Sequence, residues 1–390
     1  MSSKPQFVGE RETVRLSEIA KIKAGNVAPK KDAFTEDGIP FVRAGSLTNL
    51  LAGGSLADLE KIDGGTAQKL RLTLFPAGTV VFAKSGMSCM TGNVYVLPKP
   101  CYVVSHLACV IPNGNYASYL KHYFRFNRPN RLIENPSFPS IKLSKIQGIE
   151  LKLPSPEKGV RQVQALERIE SQIGRATTLL TYLNSLVKSR FVEMFLSSSW
   201  PVATIGECAT DIHYGTSEKA STEGEYVYLR MNNIGDDGSL DLSDTKRITL
   251  EGKALSNCLV RKGDLLFNRT NSREKVGKTC VFCLEEPMVV AGYIIRVRLD
   301  DRVDSTYLAA YMNLSSTKAL LRGMAKGAVH QANINAKQLA SIEFPLADIE
   351  AQKEFVAFVR QVNKSRFIAQ QQIEKLQMLY DSLAQDYFGD

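Results

Sequence analysis

The chain has no run of about 18 apolar residues and a mean hydropathy of −0.14, so no helix is expected to cross a membrane. Residues 1–12 (MSSKPQFVGERE) lack the apolar core of a signal peptide, which points to a cytoplasmic protein. Cysteine is scarce, seven residues without disulfide-like spacing, so buried free thiols are expected. Cys280 and Cys283 make one C-x-x-C inside a strand-like run at 279–284, and a metal site needs more ligands. The four histidines, His106, His122, His213 and His330, stand far apart and form no ligand cluster. Complete catalytic motifs are missing too. Residues 272–279 (SREKVGKT) approach a P-loop without its first glycine, so no phosphate nest is expected. Residues 135–138 (NPSF) approach the N-P-P-[YF] of amino-methyltransferases, but the third position is Ser and no F-x-G-x-G loop precedes it. No H-E-x-x-H, G-x-S-x-G or paired carboxylates occur. The isolated chain is therefore expected neither to methylate nor to hydrolyse nucleotide.

What the chain does have is two long amphipathic stretches. Across 157–196, apolar residues fall at Leu166, Ile169, Ile173, Ala176, Leu180, Leu183, Val187 and Met194. The steps alternate three and four, a heptad seam interrupted at Arg190. Pro154 and Pro156 suit a helix start, and Gly174 is the single later break in composition. Forty residues of helix span about 60 Å, too long to bury a seam without a partner. The pattern recurs over 349–387 at Phe355, Phe358, Val362, Ala369, Leu376, Leu379 and Leu383, with polar Ser365 and Gln372 at seam positions.

The sequence before each helix is duplicated. Residues 14–20 (VRLSEIA) match 203–209 (ATIGECA), 39–43 (IPFVR) match 226–230 (YVYLR), and 74–85 (LFPAGTVVFAKS) match 259–270 (LVRKGDLLFNRT). Further on, 104–107 (VSHL) match 291–294 (AGYI), 119–123 match 307–311, and 141–153 match 334–346. The offset stays between 185 and 193. The organisation read from this is a module at 1–155, a helix at 156–199, a second module at 200–346 and a second helix at 347–390. Each module is expected to be α+β with one curved sheet. Strands are read at 79–83, 93–97, 102–111, 264–267 and 289–299, and short helices at 118–126 and 306–312. A pseudo-two-fold axis between the copies would pack the helices antiparallel, with the modules at opposite ends of a rod.

Charge separates the copies. Residues 1–155 carry twenty Lys and Arg against eleven Asp and Glu, whereas 200–346 carry eighteen of each. A cationic module suits a polyanion. Polar and cationic loop residues of the kind that bond base edges and phosphates sit at matching places in both copies. In the first copy they are Arg43, Ser46, Lys84, Ser85 and Ser88. In the second they are Arg230, Asn232, Asn233, Arg269, Thr270, Asn271, Ser272, Arg273 and Lys275. Arg43 and Arg230 fit a structural role equally well, bonding carbonyls at strand ends.

Two modules that open V/I-x-L-x-E-like, carry G-[DT]-[VL]-[VL]-F and end in I-x-[LA]-x-x-[IL]-x-x-I-E-[LF]-x-[LP] before a long helix resemble the DNA-specificity subunit of type I restriction–modification systems. The resemblance covers nearly the whole chain, and it lies in the duplicated order of motifs more than in any one of them. It implies two target-recognition domains separated by two long helices packed as an antiparallel coiled coil. It implies a non-catalytic subunit that reads a bipartite, asymmetric target on double-stranded DNA, one half-site per domain. Its partners would be two methylation (M) subunits and restriction (R) subunits, with no membrane. No cofactor is implied in this chain; S-adenosylmethionine, ATP and Mg would belong to the partners. The family's usual P-P-L-x-E-Q at the helix start is LPSPEK at 153–158, with Arg161 and Gln162 later, and PLADIEAQ at 345–352. These departures leave the helix starts less defined than the helices. A self-contained DNA-modifying enzyme and a protein-binding scaffold are the other classes; the missing cofactor motifs favour the recognition subunit.

Overall fold

The computed structural model describes residues 11–328 and 331–389; His330 lies outside them. The chain divides into two compact units, Met1–Arg175 with Gln372–Asp390, and Ala176–Gln371. These units cut through both long helices, whereas the boundaries read from the sequence fall at the helix ends. The difference arises because each helix buries part of its seam in each unit.

The first unit is built on a four-stranded antiparallel sheet in the order Ala20–Ala24, Leu107–Pro112, Val80–Ala83, Val94–Val96. The second repeats it as Ala209–Tyr214, Ile294–Leu299, Leu265–Asn268, Thr279–Val281. The central strands Val80–Ala83 and Leu265–Asn268 are wholly buried, as apolar runs after a glycine turn should be, with the buried polar Asn268 closing the second. Gly78 and Gly263 take φ of 82° and 96° there, and donate their N–H to Leu97 O and Phe282 O at 2.8 Å.

One curved sheet per module was expected; the first module instead has two sheets and a ribbon, and the second adds a three-stranded antiparallel sheet in the order Thr270–Asn271, Gln331–Asn333, Lys326–Ala328. The runs 102–111 and 289–299 do not form single strands. They split into Tyr102–Val103 and Leu107–Pro112, and into Met288–Val290 and Ile294–Leu299. The split lets the first half of each run pair in parallel with Ile39–Val42 or Tyr226–Leu229 in a second sheet, while the second half joins the main one. A two-stranded ribbon joins each module's beginning and end: Arg11–Arg15 with Glu150–Pro154, and Val202–Thr204 with Glu343–Pro345. Short helices follow at Ala117–Phe126 and Ser305–Met312.

The first long helix runs Pro156–Phe191 and ends in one π-helical turn, Val192–Leu196, rather than continuing as α-helix to 196. Its seam holds: Leu166, Ile169 and Ala176 are buried, and Ile173, Leu180, Leu183, Val187 and Met194 are half-buried. At the π turn the buried face moves to steps of four, placing Phe191 and Phe195 in the core of the second unit with Tyr307 and Phe355. Arg190 sits half-buried between Glu193 and Glu354, at 3.1 and 3.2 Å.

The second helix runs Ile349–Phe388. Leu379, read as a seam residue, is exposed, and Tyr380 is buried in its place. Three–four spacing from Leu376 permits either residue. Tyr380 prevails because its hydroxyl lies 2.8 Å from Nδ1 of buried His122. Gln372 is likewise exposed beside half-buried Ile373. In the second unit, Asn184 bonds Arg366 and Arg190 pairs with Glu354, so the helices run antiparallel there. In the first, Leu166 and Ile169 share a core with Tyr380, Ala384 and Phe388. The helix start is fixed despite the missing motif. Asp348 caps the N–H of Ala351 at 2.8 Å, and buried Gln352 accepts from Asp304 N while donating to Arg302 O and Ala347 O at 2.8–2.9 Å.

Six cysteines are buried free thiols, but Cys283 is exposed. The strand stops at Val281, which leaves Cys283 beyond the sheet. Among the described residues no three potential metal ligands cluster, and no helix is long and apolar enough to cross a membrane.

Candidate nucleic-acid interface

The candidate loops gather at one rim of the main sheet in each module, and the same backbone bonds fix both rims. Lys84 N donates to His106 O at 2.9 Å, and Lys84 O accepts from Ile141 N at 2.7 Å. Arg269 N donates to Tyr293 O, and Arg269 O accepts from Ile334 N, both at 2.9 Å. Val104 N bonds Val42 O, and Ala291 N bonds Leu229 O, again at 2.9 Å, which brings the next residues, Arg43 and Arg230, to the same rim. The chain crosses behind it at Gly25 and Gly215. A Cβ at either glycine would stand 2.2 Å from a carbonyl oxygen of the split strand, so no other residue fits.

In the second module Arg269 lies half-buried with its guanidinium 4.9 Å from the ring centroid of Tyr214. Its Nη1 makes a long bond to Gly292 O at 3.5 Å, and its Nε is buried without a partner. Stacking holds the fork in place while most of its donors remain available. Tyr293 stands exposed beside it. The neighbouring turn is partly self-bonded: Asn271 Oδ1 accepts from Ser272 N at 2.9 Å, and Arg273 Nε reaches Arg322 O at 3.4 Å. Lys275 projects into solvent.

Other candidates in this module serve the fold. Asn233 is buried, donates to Asp241 O and Asp244 O at 2.8 and 2.9 Å, and accepts from Arg230 N. Thr270 is buried with its hydroxyl on Asn333. Neither side chain can reach a ligand; both shape the rim. Arg230 takes the structural alternative, bonding Asp244 O at 2.9 Å and its carboxylate at 2.8 Å, and exposed Asn232 donates to the same carboxylate at 3.2 Å. The near P-loop is occupied by its own contacts. Lys278 pairs with Asp236 at 2.8 Å and holds that carboxyl below the usual carboxylate range, while Thr279 is buried.

In the first module Arg43 pairs with Glu60 at 2.6 Å and lies 5.2–5.5 Å from the rings of Phe34 and Phe41. It meets a carboxylate, not the carbonyl expected of a structural role. Ser85 Oγ lies 2.8 Å from Nδ1 of exposed His106. Lys84 and Ser88 are half-buried at the same rim, Ser88 in the 3-10 turn Met87–Thr91. Ser46 opens the helix Ser46–Leu51, further along the chain from Arg43. The NPSF stretch is an Asx turn, Asn135 Oδ1 accepting from Ser137 N at 2.9 Å, with Phe138 exposed. His106, Tyr214 and Tyr293 were not among the residues singled out. The match of 104–107 with 291–294 already paired His106 with Tyr293; nothing in the sequence marks Tyr214.

Two stretches of the chain, residues 9–184 and 200–378, each match the family model of the type I restriction modification DNA specificity domain. The type I restriction enzyme MjaIX specificity subunit of Methanocaldococcus jannaschii is 25% identical over 148 residues, which are 37% of this chain and 34% of that protein. A second protein of that organism, named for MjaX, is 23% identical over 185 residues, 46% of this chain and 43% of its own. The chain thus spans less than half the length of these relatives. The crystal structure of a type I restriction–modification S subunit from M. genitalium matches with a TM-score of 0.55 at 12% identity, over 97% of this chain and 96% of that one. A chain from a type I restriction–modification system studied for its assembly and conformational transition matches with a TM-score of 0.51 at 17% identity, over 99% of both. At these identities the likeness is one of fold.

Proposed function

The chain belongs to the type I restriction–modification DNA specificity family, and on that footing we propose that it is the subunit that chooses the target on double-stranded DNA, with one half-site per module. The observation that carries this reading is the pair of rims. Their backbone bonds coincide, yet Lys84 and His106 stand in one where Arg269 and Tyr293 stand in the other. One docking geometry with different side chains suits two different half-sites and hence an asymmetric target.

Chemistry is assigned to the partners: two methylation subunits using S-adenosylmethionine, and restriction subunits using ATP and Mg. The first long helix supports such recruitment. Leu179, Tyr182 and Leu186 repeat at steps of three and four and are exposed, a stripe suited to a partner helix. The helix pair would set the gap between half-sites.

The test is a module exchange. Replacing residues 1–155 by the corresponding module of another family member, then sequencing methylated adenines in cells that also make the methylation partner, should change one half-site and leave the other. A change in both halves would defeat the modular reading, as would S-adenosylmethionine turnover by the purified single chain. A matched four-residue insertion in both helices adds about 6 Å of helix, which at about 3.4 Å per base pair should lengthen the preferred spacer by about two base pairs. An unchanged spacer in an active variant would remove the helices from that role.

A further inference from the structure

Three apolar side chains project from the rim of the first module. Val27, Phe138 and Met87 are 82%, 79% and 73% exposed, more than any other large apolar residue among those described. Scattered apolar residues on a surface are ordinary, but these three share one backbone network. Val27 follows Asn26, whose carbonyl accepts from Ser105 N at 2.6 Å, next to His106. Met87 follows Gly86, whose N–H donates to Pro139 O at 3.1 Å, and Phe138 precedes Pro139. Cations flank them. Lys84 O bonds Ile141 N, which places Lys142 beside the rim. Asn130 Nδ2 donates to Met90 O at 3.1 Å, which sets exposed Arg128 and Arg131 by the Met87–Thr91 turn.

The duplication sharpens the point. The positions of Val27, Met87 and Phe138 correspond to Ser217, Ser272 and Gln331 in the second copy. Three apolar residues in one module stand where the other has three polar ones. They sit in the module with twenty cations against eleven acids. Apolar residues ringed by cations suit a polyanion that also offers apolar surface. Duplex DNA does so at the thymine methyl edge and at the face of an unstacked base.

We propose that Val27, Met87 and Phe138 are the specificity-determining contact of the first module, pressing on the apolar surface of its half-site, while the second module reads through hydrogen bonds. The inference rests on the DNA-recognition reading above. Its test uses the full chain in complex with its methylation subunits and the duplex found from methylated sites in cells. The variant Val27→Ser, Met87→Ser, Phe138→Gln installs the residues of the second copy at solvent-exposed positions, and an unchanged thermal midpoint checks its folding. It should bind the cognate duplex about tenfold more weakly, with random-duplex affinity and salt slope unchanged because no cation is lost. With the unaltered chain, thymine-to-uracil replacement across the first half-site should lower affinity if the methyl edge is touched. 2-Aminopurine should brighten if a step is wedged open. The variant should lose whichever signal appears. Cognate binding equal to that of the unaltered chain would overturn the proposal. So would a variant that fails to assemble with the methylation subunits yet keeps its own duplex discrimination, since the trio would then face protein. An unaltered complex with no preference among duplexes would overturn the recognition reading itself.

Discussion

Cys109 and Arg296 occupy the same rung of two equivalent sheets. Cys109 faces Val81 across the first, as Arg296 faces Leu266 across the second. In the first module the buried part of the rung, Cys109 and Val81, is apolar, and burial raises the Cys109 thiol far above its ordinary range. In the second, buried Arg296 bonds Asp211, Ser256 O and Leu259 O, and Arg298 forks onto Asp264 at 3.0 and 3.2 Å. The backbone is indifferent to the exchange provided that the charge finds partners; here both Nη atoms find them while Nε stays unbonded. Duplicated folds keep their hydrogen-bonded frame and diverge in how they satisfy what is placed on it.

That comparison can be broken most sharply at Asp211. Removing one partner of a buried ion pair leaves the other uncompensated, so Asp211→Ala should destabilise the second unit by about 3 kcal/mol. Lys21→Ala, the matching exposed site of the first module, should change stability by less than about 0.5 kcal/mol. Urea unfolding of the two variants measures the difference. Equal effects would mean that the Arg296 network does not hold the rung.

The helices packed against the sheets differ as well. His122 in Ala117–Phe126 is buried against Tyr380, with Glu170, Lys121 and Arg125 around it; the matching residue of Ser305–Met312 is Ala310. Burial pushes the imidazole down to about 4 from 6.5, against the upward pull of Glu170. The unfolded chain therefore binds this proton more readily than the folded one between those values. Stability from the neutral imidazole is complete above pH 6.5 and is lost as pH falls toward 4, by at most about 3 kcal/mol. Unfolding followed against pH should show this loss in the first unit, and His122→Leu should flatten it. A profile unchanged by that substitution would assign the acid sensitivity to other groups.

The smallest effects separate reading from positioning at the second rim. Arg269→Ala should cost about 1–3 kcal/mol on the cognate duplex and much less on random sequence. Lys275→Ala should weaken both alike and reduce the salt slope by about one unit. Uniform loss from Arg269→Ala would make it a phosphate contact. Titration on cognate and random duplexes at several salt concentrations decides between them.

The duplication and both helices were legible because repeated apolar spacing leaves the same trace twice in one chain. The choice between Leu379 and Tyr380 was not, since spacing permits both and only the distant His122 decides. Asn233 and Thr270 look like ligand-binding loop residues in sequence. A polar side chain that satisfies its own backbone reads the same as one that faces solvent, and only the fold separates them. The split strands at 102–111 and 289–299 escaped notice for a related reason: an apolar run records burial, not which sheet buries it. Phe138 drew attention only as part of a false motif, because exposure leaves no mark on a single sequence.

Gly25 and Gly215 have a consequence for how such a gene changes. Two codons tolerate no substitution, because any side chain would enter the carbonyls of the split strand. Two codons after Gly25 comes Val27, which touches so little of the protein that mutation there is nearly unconstrained by folding. Selection on the scaffold and selection on the target thus fall on almost adjacent letters of the gene. On the recognition proposed above, a few point mutations at the rim shift the target, with the glycines marking which parts of the text must be copied faithfully.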